Sequence, residues 1–153
     1  MEIPSQFYQF TDEKALVIVS GTEEAKLFGA HDGEMDHLET IKTRKISYSD
    51  REGFFASRGQ GKTFGAGSVM EDVDEKERKE FRDLLGEKYA EMADGYDYVA
   101  LLAPEHALPE IIGSLGIPKD KIEDKVKIIK KGIFLDYSPE KLLELLTEGI
   151  SSF

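Results

Sequence analysis

The sequence has no cysteine among its 153 residues, and it also lacks long apolar runs and a signal-like N-terminus. Without cysteine, disulfide bonds, zinc–thiolate sites and thiol nucleophiles are excluded. The longest apolar stretches, ALVIV and YVALLA, fall far short of the ~20 residues that a membrane-spanning helix needs. The opening MEIPSQFYQFTDEK has no cationic region followed by an apolar one, so it is not a secretory signal. We expect a soluble, cytoplasmic protein without a membrane partner.

The length and composition are those of one globular domain. With 40% hydrophobic and 10% aromatic residues, the chain has the apolar content of a folded protein. A chain of this length can bury a core without metals or disulfides. We therefore predict a single domain over residues 1–153, and we find no internal repeat.

The charge is acidic overall but unevenly distributed. The net charge of −11 argues against general nucleic-acid coating, because affinity for phosphates comes from clustered Lys and Arg. Residues 42–63, the basic segment, carry six cations and two anions, a local charge of +4 that leaves −15 for the remainder. Such a segment can meet a polyanion, or it can be a solvated basic loop on an acidic protein. Its cations are Lys42, Arg44, Lys45, Arg51, Arg58 and Lys62.

The sequence predicts an antiparallel meander in the first third of the chain. Residues 15–20, ALVIVS, form a continuous apolar run typical of a buried strand. The stretch AKLFGAHDGEMDHLETIK contains two further strand candidates, joined by a tight turn at Asp32 and Gly33. Asp-Gly is a strong hairpin signal because both central positions need positive φ. A polar, glycine-rich segment follows over residues 43–70, and loops of this length tend to be functional or disordered.

The second half alternates helices and strands. Ser68 and Glu71 fit a capping box for a helix that ends near Gly95. YVALLA is a buried strand, LPEIIGSLG a short helix, KVKIIKKGI a third core strand, and Ser138 precedes a closing helix. The predicted buried positions are Phe81, Leu84, Leu85, Tyr89 and Met92 in the first helix, Leu108, Ile111, Ile112 and Leu115 in the second, Val126, Ile128 and Ile133 in the strand, and Leu142, Leu143, Leu145, Leu146 and Ile150 in the last helix.

The order of these elements predicts an α/β fold. It is β-β-β, a long loop, then α-β-α-β-α, which implies a mixed β-sheet with helices packed on its faces.

The glycine-rich stretch ASRGQGKTFGAG, residues 56–67, fits the loose phosphate-loop pattern through Gly61, Lys62 and Thr63. A working loop of this kind lies directly between a buried strand and a helix, so that backbone N–H groups and the helix dipole converge on the phosphates. We expect the helix to begin several residues after Thr63, and the preceding SDREGFFASR is not a core strand. Nucleotide binding through this stretch is therefore the least favoured of three functional hypotheses for the chain.

Several stretches carry a resemblance that covers nearly the whole chain. They are ALVIVSGTEEAKLFGAHDG, the Arg- and Gly-rich loop, the acidic start of the long helix, YDYVALLAPEHALPEI and SPEKLLELL. With these the chain resembles the middle domain of the class-one release factors of archaea and eukaryotes and of the related Pelota proteins. It is more similar still to the bacterial single-domain relatives of that domain, the host-attachment-protein family.

The resemblance implies a role for the loop before the long helix. In the release factors this loop carries Gly-Gly-Gln, which reaches the peptidyl-transferase centre and helps water hydrolyse the peptidyl-tRNA ester. Gly59 and Gln60 match the second and third positions of the tripeptide, whereas Arg58 replaces its first glycine. Because glutamine does not titrate, it cannot act as a general base. It can only orient the attacking water or provide its backbone N–H to the developing oxyanion. An arginine at the first position is costly if that position needs positive φ.

The cations of the basic segment are candidate RNA contacts. Lys42, Arg44, Lys45, Arg51, Arg58 and Lys62 can hold phosphates without reading bases. Phe54, Phe55 and Phe64 can stack on bases, or they pin the loop to the core.

The three histidines suggest no cofactor. His31 and His37 lie near Asp32 and Asp36, a pattern that a hard metal could use, but hairpin tips are usually polar for solubility. His106 follows YVALLA, where α/β proteins often place ligands, and a solvent position at a helix start explains it equally. We predict neither metal nor cofactor.

Taken together, the sequence predicts a ribosome- or tRNA-associated factor that acts through its basic loop in peptidyl-tRNA release or ribosome rescue. The alternative is a non-catalytic module that kept the fold and binds a protein partner. The sequence does not determine the oligomeric state.

Overall fold

A computed structural model describes residues 1–42 and 63–151, with side chains described for residues 1–42 and 75–150. Three strands come first: β1 (Lys14–Ser20), β2 (Glu24–His31) and β3 (Glu34–Lys42). The long helix α1 (Thr63–Met92) leads through a 3₁₀ turn at Ala93–Gly95 to strand β4 (Tyr98–Ala103). Helix α2 (Leu108–Ser114), a 3₁₀ turn at Lys119–Lys121, helix α3 (Ile122–Lys125), strand β5 (Val126–Lys131) and helix α4 (Pro139–Ser151) complete the chain.

The five strands form one mixed sheet in the order β3-β2-β1-β4-β5. Strand β1 pairs antiparallel with β2 and parallel with β4, while β2–β3 is antiparallel and β4–β5 parallel. This confirms the predicted α/β fold and the predicted order of its main elements.

The pairing directions mean that strands β1, β3, β4 and β5 all run in one direction. We call the edge where they end the carboxyl edge, and the opposite one the amino edge.

The β2–β3 hairpin has the predicted turn. Asp32 and Gly33 have φ values of 40° and 80°, the left-handed backbone that a two-residue hairpin of this kind requires. The Asp32 carboxylate also accepts a hydrogen bond of 2.9 Å from the backbone N–H of Asp12, which ties the turn to the N-terminal segment.

The two faces of the sheet each carry a core. Helices α1 and α2 cover one face and α4, with the N-terminal segment, covers the other. The alternation of strand side chains divides β1 between them: Leu16 and Ile18 face α1, whereas Val17 and Val19 face α4. Ser138 Oγ accepts a hydrogen bond of 3.3 Å from the backbone N–H of Lys141, which confirms the predicted start of α4.

Helices α1 and α2 approach closely at a glycine. A Cβ placed on Gly86 of α1 would lie 2.4 Å from the backbone carbonyl oxygen of Ser114, at the end of α2. No side chain fits at that distance, and a backbone atom cannot move aside as a flexible side chain can. Gly86 therefore fixes how near α1 lies to α2.

Two predictions about this half of the chain were wrong. Helix α1 begins at Thr63 rather than at Ser68, so residues 64–67 of the predicted loop are helical. Ile133 is not an inward strand residue: β5 ends at Lys131, and Ile133 is 78% exposed. Lys130, Lys131 and Gly132 separate Ile133 from the apolar part of β5, and the sequence pattern alone did not show where the pairing with β4 ends. The short helix α3 was also not predicted.

Two tyrosines hold one carboxylate near the amino edge. The Tyr8 hydroxyl donates to Glu13 Oε2 over 2.8 Å, and the Tyr98 hydroxyl donates to Glu13 Oε1 over 2.5 Å. Burial and then its hydrogen bond to Glu13 raise the pKa of Tyr98. The pKa of Tyr8 is raised mainly by its own hydrogen bond to Glu13. Because Tyr98 begins β4, this cluster fastens the N-terminal segment to the sheet.

Among the described residues, no helix is both long enough and apolar enough to cross a bilayer.

Gly86→Ala should destabilise the protein although alanine is the better helix former. The gain of about 1 kcal/mol in helix propensity is outweighed by an overpacking cost, and we expect a net loss of about 1–3 kcal/mol in the free energy of unfolding. The matched control is Gly113→Ala in α2, where a Cβ would meet nothing within 4 Å. That change should raise stability by about 0.5–1 kcal/mol. Urea denaturation measures both, and equal gains would contradict the close approach.

Tyr98→Phe should lower stability at neutral pH by about 1–2 kcal/mol, the worth of a hydrogen bond to a charged group. The raised pKa of Tyr98 means that the folded state retains the phenolic proton more firmly than the unfolded chain. Its contribution is therefore complete below pH ~10, where free tyrosine titrates, and is lost as the pH rises further. The variant should show a shallower alkaline loss of stability than the wild type.

The control for this change is Tyr137→Phe, because Tyr137 is 39% exposed and a phenylalanine would keep its edge contact with Phe134. If denaturation at pH 7 to 11 gave both variants the same curve, the Glu13 cluster would not stabilise the fold.

Candidate functional site

The carboxyl edge contains the point where the chain changes direction across the sheet. From β1 the chain moves by a hairpin to β2 on one side, whereas β4 lies on the other side of β1. The segments that leave the ends of β1 and β4 therefore diverge and open a crevice between them. In α/β sheets, crevices of this kind at the carboxyl ends of parallel strands are where ligands bind.

A cavity of about 260 Å³ occupies this crevice. Its lining comes from Thr22 after β1, His106 and Ala107 after β4, Glu110 of α2 and Arg78 of α1, and we call it the switch-point pocket. Its position at the ends of β1 and β4 follows from their parallel pairing, in which Val19 lies opposite Leu102.

The switch-point pocket has one arginine and one carboxylate in its lining, Arg78 and Glu110, and each forms an ion pair with a residue of α1. Arg78 Nη2 lies 2.5 Å from Glu75 Oε1, and Arg82, one helical turn further along α1, places Nη1 2.9 Å from Glu110 Oε2. These pairs hold the Arg78 guanidinium in the pocket wall and the Arg82 guanidinium beside Glu110. A guanidinium group is well suited to donate paired hydrogen bonds to carboxylate or phosphate oxygens, and it keeps its charge at any working pH. The exposed imidazole of His106 completes a rim that can hold an anionic group.

Both ends of the basic segment lie towards this same edge. Lys42 is the last residue of β3, opposite Glu24, and β3 runs parallel to β1. Helix α1 begins at Thr63 and delivers its C-terminus to the start of β4, so it runs against the strands, with its first turns towards the carboxyl edge. Fifteen residues of α1, about 22 Å of helix, precede Arg78 in the pocket wall.

Most of the predicted site lies outside the described residues. Lys42 is described and is exposed at the end of β3. Of the other predicted contacts, Arg44, Lys45, Arg51, Arg58 and Lys62, and of the predicted catalytic pair Gly59 and Gln60, the structure describes none. Phe54 and Phe55 also fall outside, and for Phe64 only the backbone, in α1, is described.

The start of α1 changes one argument about the phosphate-loop pattern. Thr63 is the first helical residue and directly follows Gly61 and Lys62, so the expected gap between pattern and helix does not exist. The other requirement, a buried strand leading directly into the loop, is not met by β3. That strand ends at Lys42 and lies at the border of the sheet.

The histidines form no metal-binding cluster in the part of the chain that the structure describes. His31 Nδ1 lies 3.8 Å from Asp32 Oδ2, and His37 Nε2 forms a hydrogen bond of 2.8 Å with Thr40 Oγ1. Asp36 instead pairs with the N-terminal ammonium group at 2.6 Å. The two histidines therefore have separate partners.

Sequence reasoning missed the arginines of α1 and a second cationic region. Arg78 and Arg82 stand among acidic residues in the sequence, and nothing in their spacing shows that they meet the ends of β1 and β4. The region was detectable, because residues 119–131 contain six lysines and three acidic residues. Edge strands often carry lysine, which opposes pairing with other chains, and β5 is an edge strand.

Comparison with known proteins adds little. No protein-family model matches the chain, and no curated protein does. The chain is similar to the type II variant of the Ppx/GppA phosphatase of Aquifex aeolicus, with 12% identity, a TM-score of 0.36, and coverage of 78% of this chain and 35% of that one. A second structure of the PPX-GPPA enzyme from Aquifex aeolicus gives 11% identity, a TM-score of 0.32, and coverage of 78% and 36%. The chain spans about a third of their length, and a likeness at this level carries no information on function.

Proposed function

We propose that the protein is a cytoplasmic, ribosome- or RNA-associated factor that contacts RNA through the carboxyl edge of its sheet. The observation that carries the proposal is that the two described elements flanking the basic segment meet this edge: β3 ends there at Lys42, and α1 begins at Thr63 with its first turns towards it. In this proposal the six cations of the segment act together with Arg78 and Arg82 on the RNA.

The charge distribution of the sequence also supports RNA binding at the carboxyl edge. The residues outside the basic segment carry −15, so a polyanion is repelled from most of the surface and attracted to one region. Phosphate contacts of this kind fix a protein on RNA without reading its sequence. This suits a factor that binds structured RNA by shape and charge.

Peptidyl-tRNA hydrolysis is the catalytic form of the proposal. It rests on Gly59 and Gln60 and on the resemblance to release factors. In that form Gln60 orients the attacking water, and a backbone N–H near it stabilises the oxyanion. The alternative is a module that has lost this chemistry and uses the same edge to bind a protein partner.

Removing three cations of the basic segment should weaken ribosome binding steeply. For Arg44→Ala, Arg58→Ala and Lys62→Ala combined, we expect the slope of log affinity against log salt to fall by about two to three units. Co-sedimentation with ribosomes across a salt series measures this. The matched control removes three exposed amino-edge lysines, Lys14, Lys119 and Lys127, with the same change in net charge.

A further variant tests the described edge itself. Arg78→Gln removes a cation of the switch-point pocket outside the basic segment and should weaken ribosome binding to a smaller degree. Equal loss in the amino-edge control would show that only net charge matters. Wild-type protein that stays in the supernatant at low salt would rule out the proposal, and a protein partner insensitive to these changes would favour the alternative.

Gln60→Ala tests the chemistry separately from binding. If the loop hydrolyses peptidyl-tRNA, release of peptide from stalled ribosomes should fall by about 10²-fold, the usual scale for losing one positioned group, while co-sedimentation is unchanged. A wild-type rate equal to the uncatalysed background would exclude hydrolysis and leave RNA binding to be judged by the salt series.

A further inference from the structure

A second cavity lies on the α1 face, away from the switch-point pocket. We call it the Tyr89 cavity. It has a volume of about 260 Å³ and is lined by Tyr89, Leu115, Gly116, Ile117, Pro118, Lys121 and Lys125. Tyr89 is eleven residues after Arg78 in α1, about 16 Å along the helix and towards the amino edge. The inference drawn from it does not rest on the proposed function.

The walls of the Tyr89 cavity are largely apolar. Leu115 is 5% exposed and belongs to the core, and Ile117 packs against the same core. Gly116 has a φ of 73°, which turns the chain after α2 so that Ile117 and Pro118 close one side. An apolar chain or ring would lose water contacts on entering this space, and that loss favours binding.

One polar group in the wall lacks a protein partner. Tyr89 is 6% exposed, and no described residue forms a hydrogen bond with its hydroxyl. The hydroxyl itself is not buried, so it is open to a ligand that enters the cavity. Burial alone raises the pKa of Tyr89, so the phenol remains a hydrogen-bond donor at neutral pH.

Two lysines of the cavity carry uncompensated charge. Among the side chains of residues 1–42 and 75–150, none forms an ion pair within 4.0 Å with Lys121 or Lys125, although Asp120, Glu123 and Asp124 are their neighbours in sequence. Lys125 Nζ donates one hydrogen bond of 3.2 Å to the backbone carbonyl oxygen of Tyr96, which leaves two of its donors unused. On a protein of net charge −11, two lysines without carboxylate partners beside an apolar cavity favour an anionic occupant.

We propose that the Tyr89 cavity binds a small amphipathic carboxylate. Its apolar part lies against Leu115 and Ile117, and its carboxylate accepts hydrogen bonds from Lys121 and Lys125 at the mouth and from the Tyr89 hydroxyl.

The probe for this site is octanoate, with octanol as the uncharged control of equal chain length. In ¹H–¹⁵N NMR titrations, millimolar octanoate should shift the backbone signals of residues 115–125 and of Tyr89 in a saturable manner. Octanol should bind at least about fivefold more weakly, because it cannot pair with the lysines.

Three variants make the test specific. Lys121→Gln combined with Lys125→Gln should weaken octanoate binding about fivefold or more, whereas Lys119→Gln, an exposed neighbour outside the cavity, should not change it. Tyr89→Phe should weaken binding while leaving the stability of the free protein unchanged, because it removes a solvent-accessible hydroxyl that no described side chain or backbone group pairs with.

Several results would overturn the proposal. They are the absence of saturable shifts, equal binding of octanol and octanoate, or equal loss in Lys119→Gln and the double variant. A free Tyr89→Phe protein that unfolds more readily than the wild type would show that the phenol has a structural partner. Ribosome co-sedimentation of the double variant should match the wild type, so this site and the carboxyl edge can fail independently.

Discussion

The pairing of β1 with two neighbours of opposite direction is the constraint on which the rest of the structure depends. Six of the seven residues of β1 are buried, and the strand hydrogen-bonds to β2 on one side and to β4 on the other. A strand buried on both faces must supply apolar side chains to both cores, and ALVIV does so. The antiparallel direction of β2 follows from the hairpin after β1, and the parallel direction of β4 follows from α1, which runs against the strands and delivers the chain to the start of β4.

This pairing also decides where chemistry can take place. Because β2 turns back on one side of β1 and β4 arrives on the other, the crevice at the carboxyl edge exists whatever side chains line it. The sequence places Thr22 and His106 at the two strand ends, and the close approach at Gly86 sets how far α1, with Arg78 and Arg82, stands from α2. The geometry of the site is therefore a consequence of core packing.

The two cavities divide the α1 face by chemistry. The switch-point pocket has fixed arginine–carboxylate pairs and an exposed imidazole, which suits polar anions such as phosphate groups. The Tyr89 cavity has apolar walls, a phenol without a partner and lysines at its rim, which suits a molecule with an apolar body and one charge. Helix α1 contributes to both because Arg78 and Tyr89 lie about 16 Å apart along it, a distance close to the length of β4, about 20 Å.

Much of the fold was determined by the sequence alone, because the decisive signals are local. The continuous run in β1, the Asp32-Gly33 turn and the three- and four-residue spacing of Phe81, Leu85 and Tyr89 each act over a few residues. Where local signals compete, the tertiary structure decided: the helical start at Thr63 overrode the capping signal at Ser68, and β5 stops before Ile133 because its pairing with β4 ends at Lys131. The meeting of Arg78 with the ends of β1 and β4, and of Tyr89 with Lys121 and Lys125, joins residues far apart in the chain. No sequence spacing encodes such distances, since they arise only when the sheet order and the helix crossing are formed.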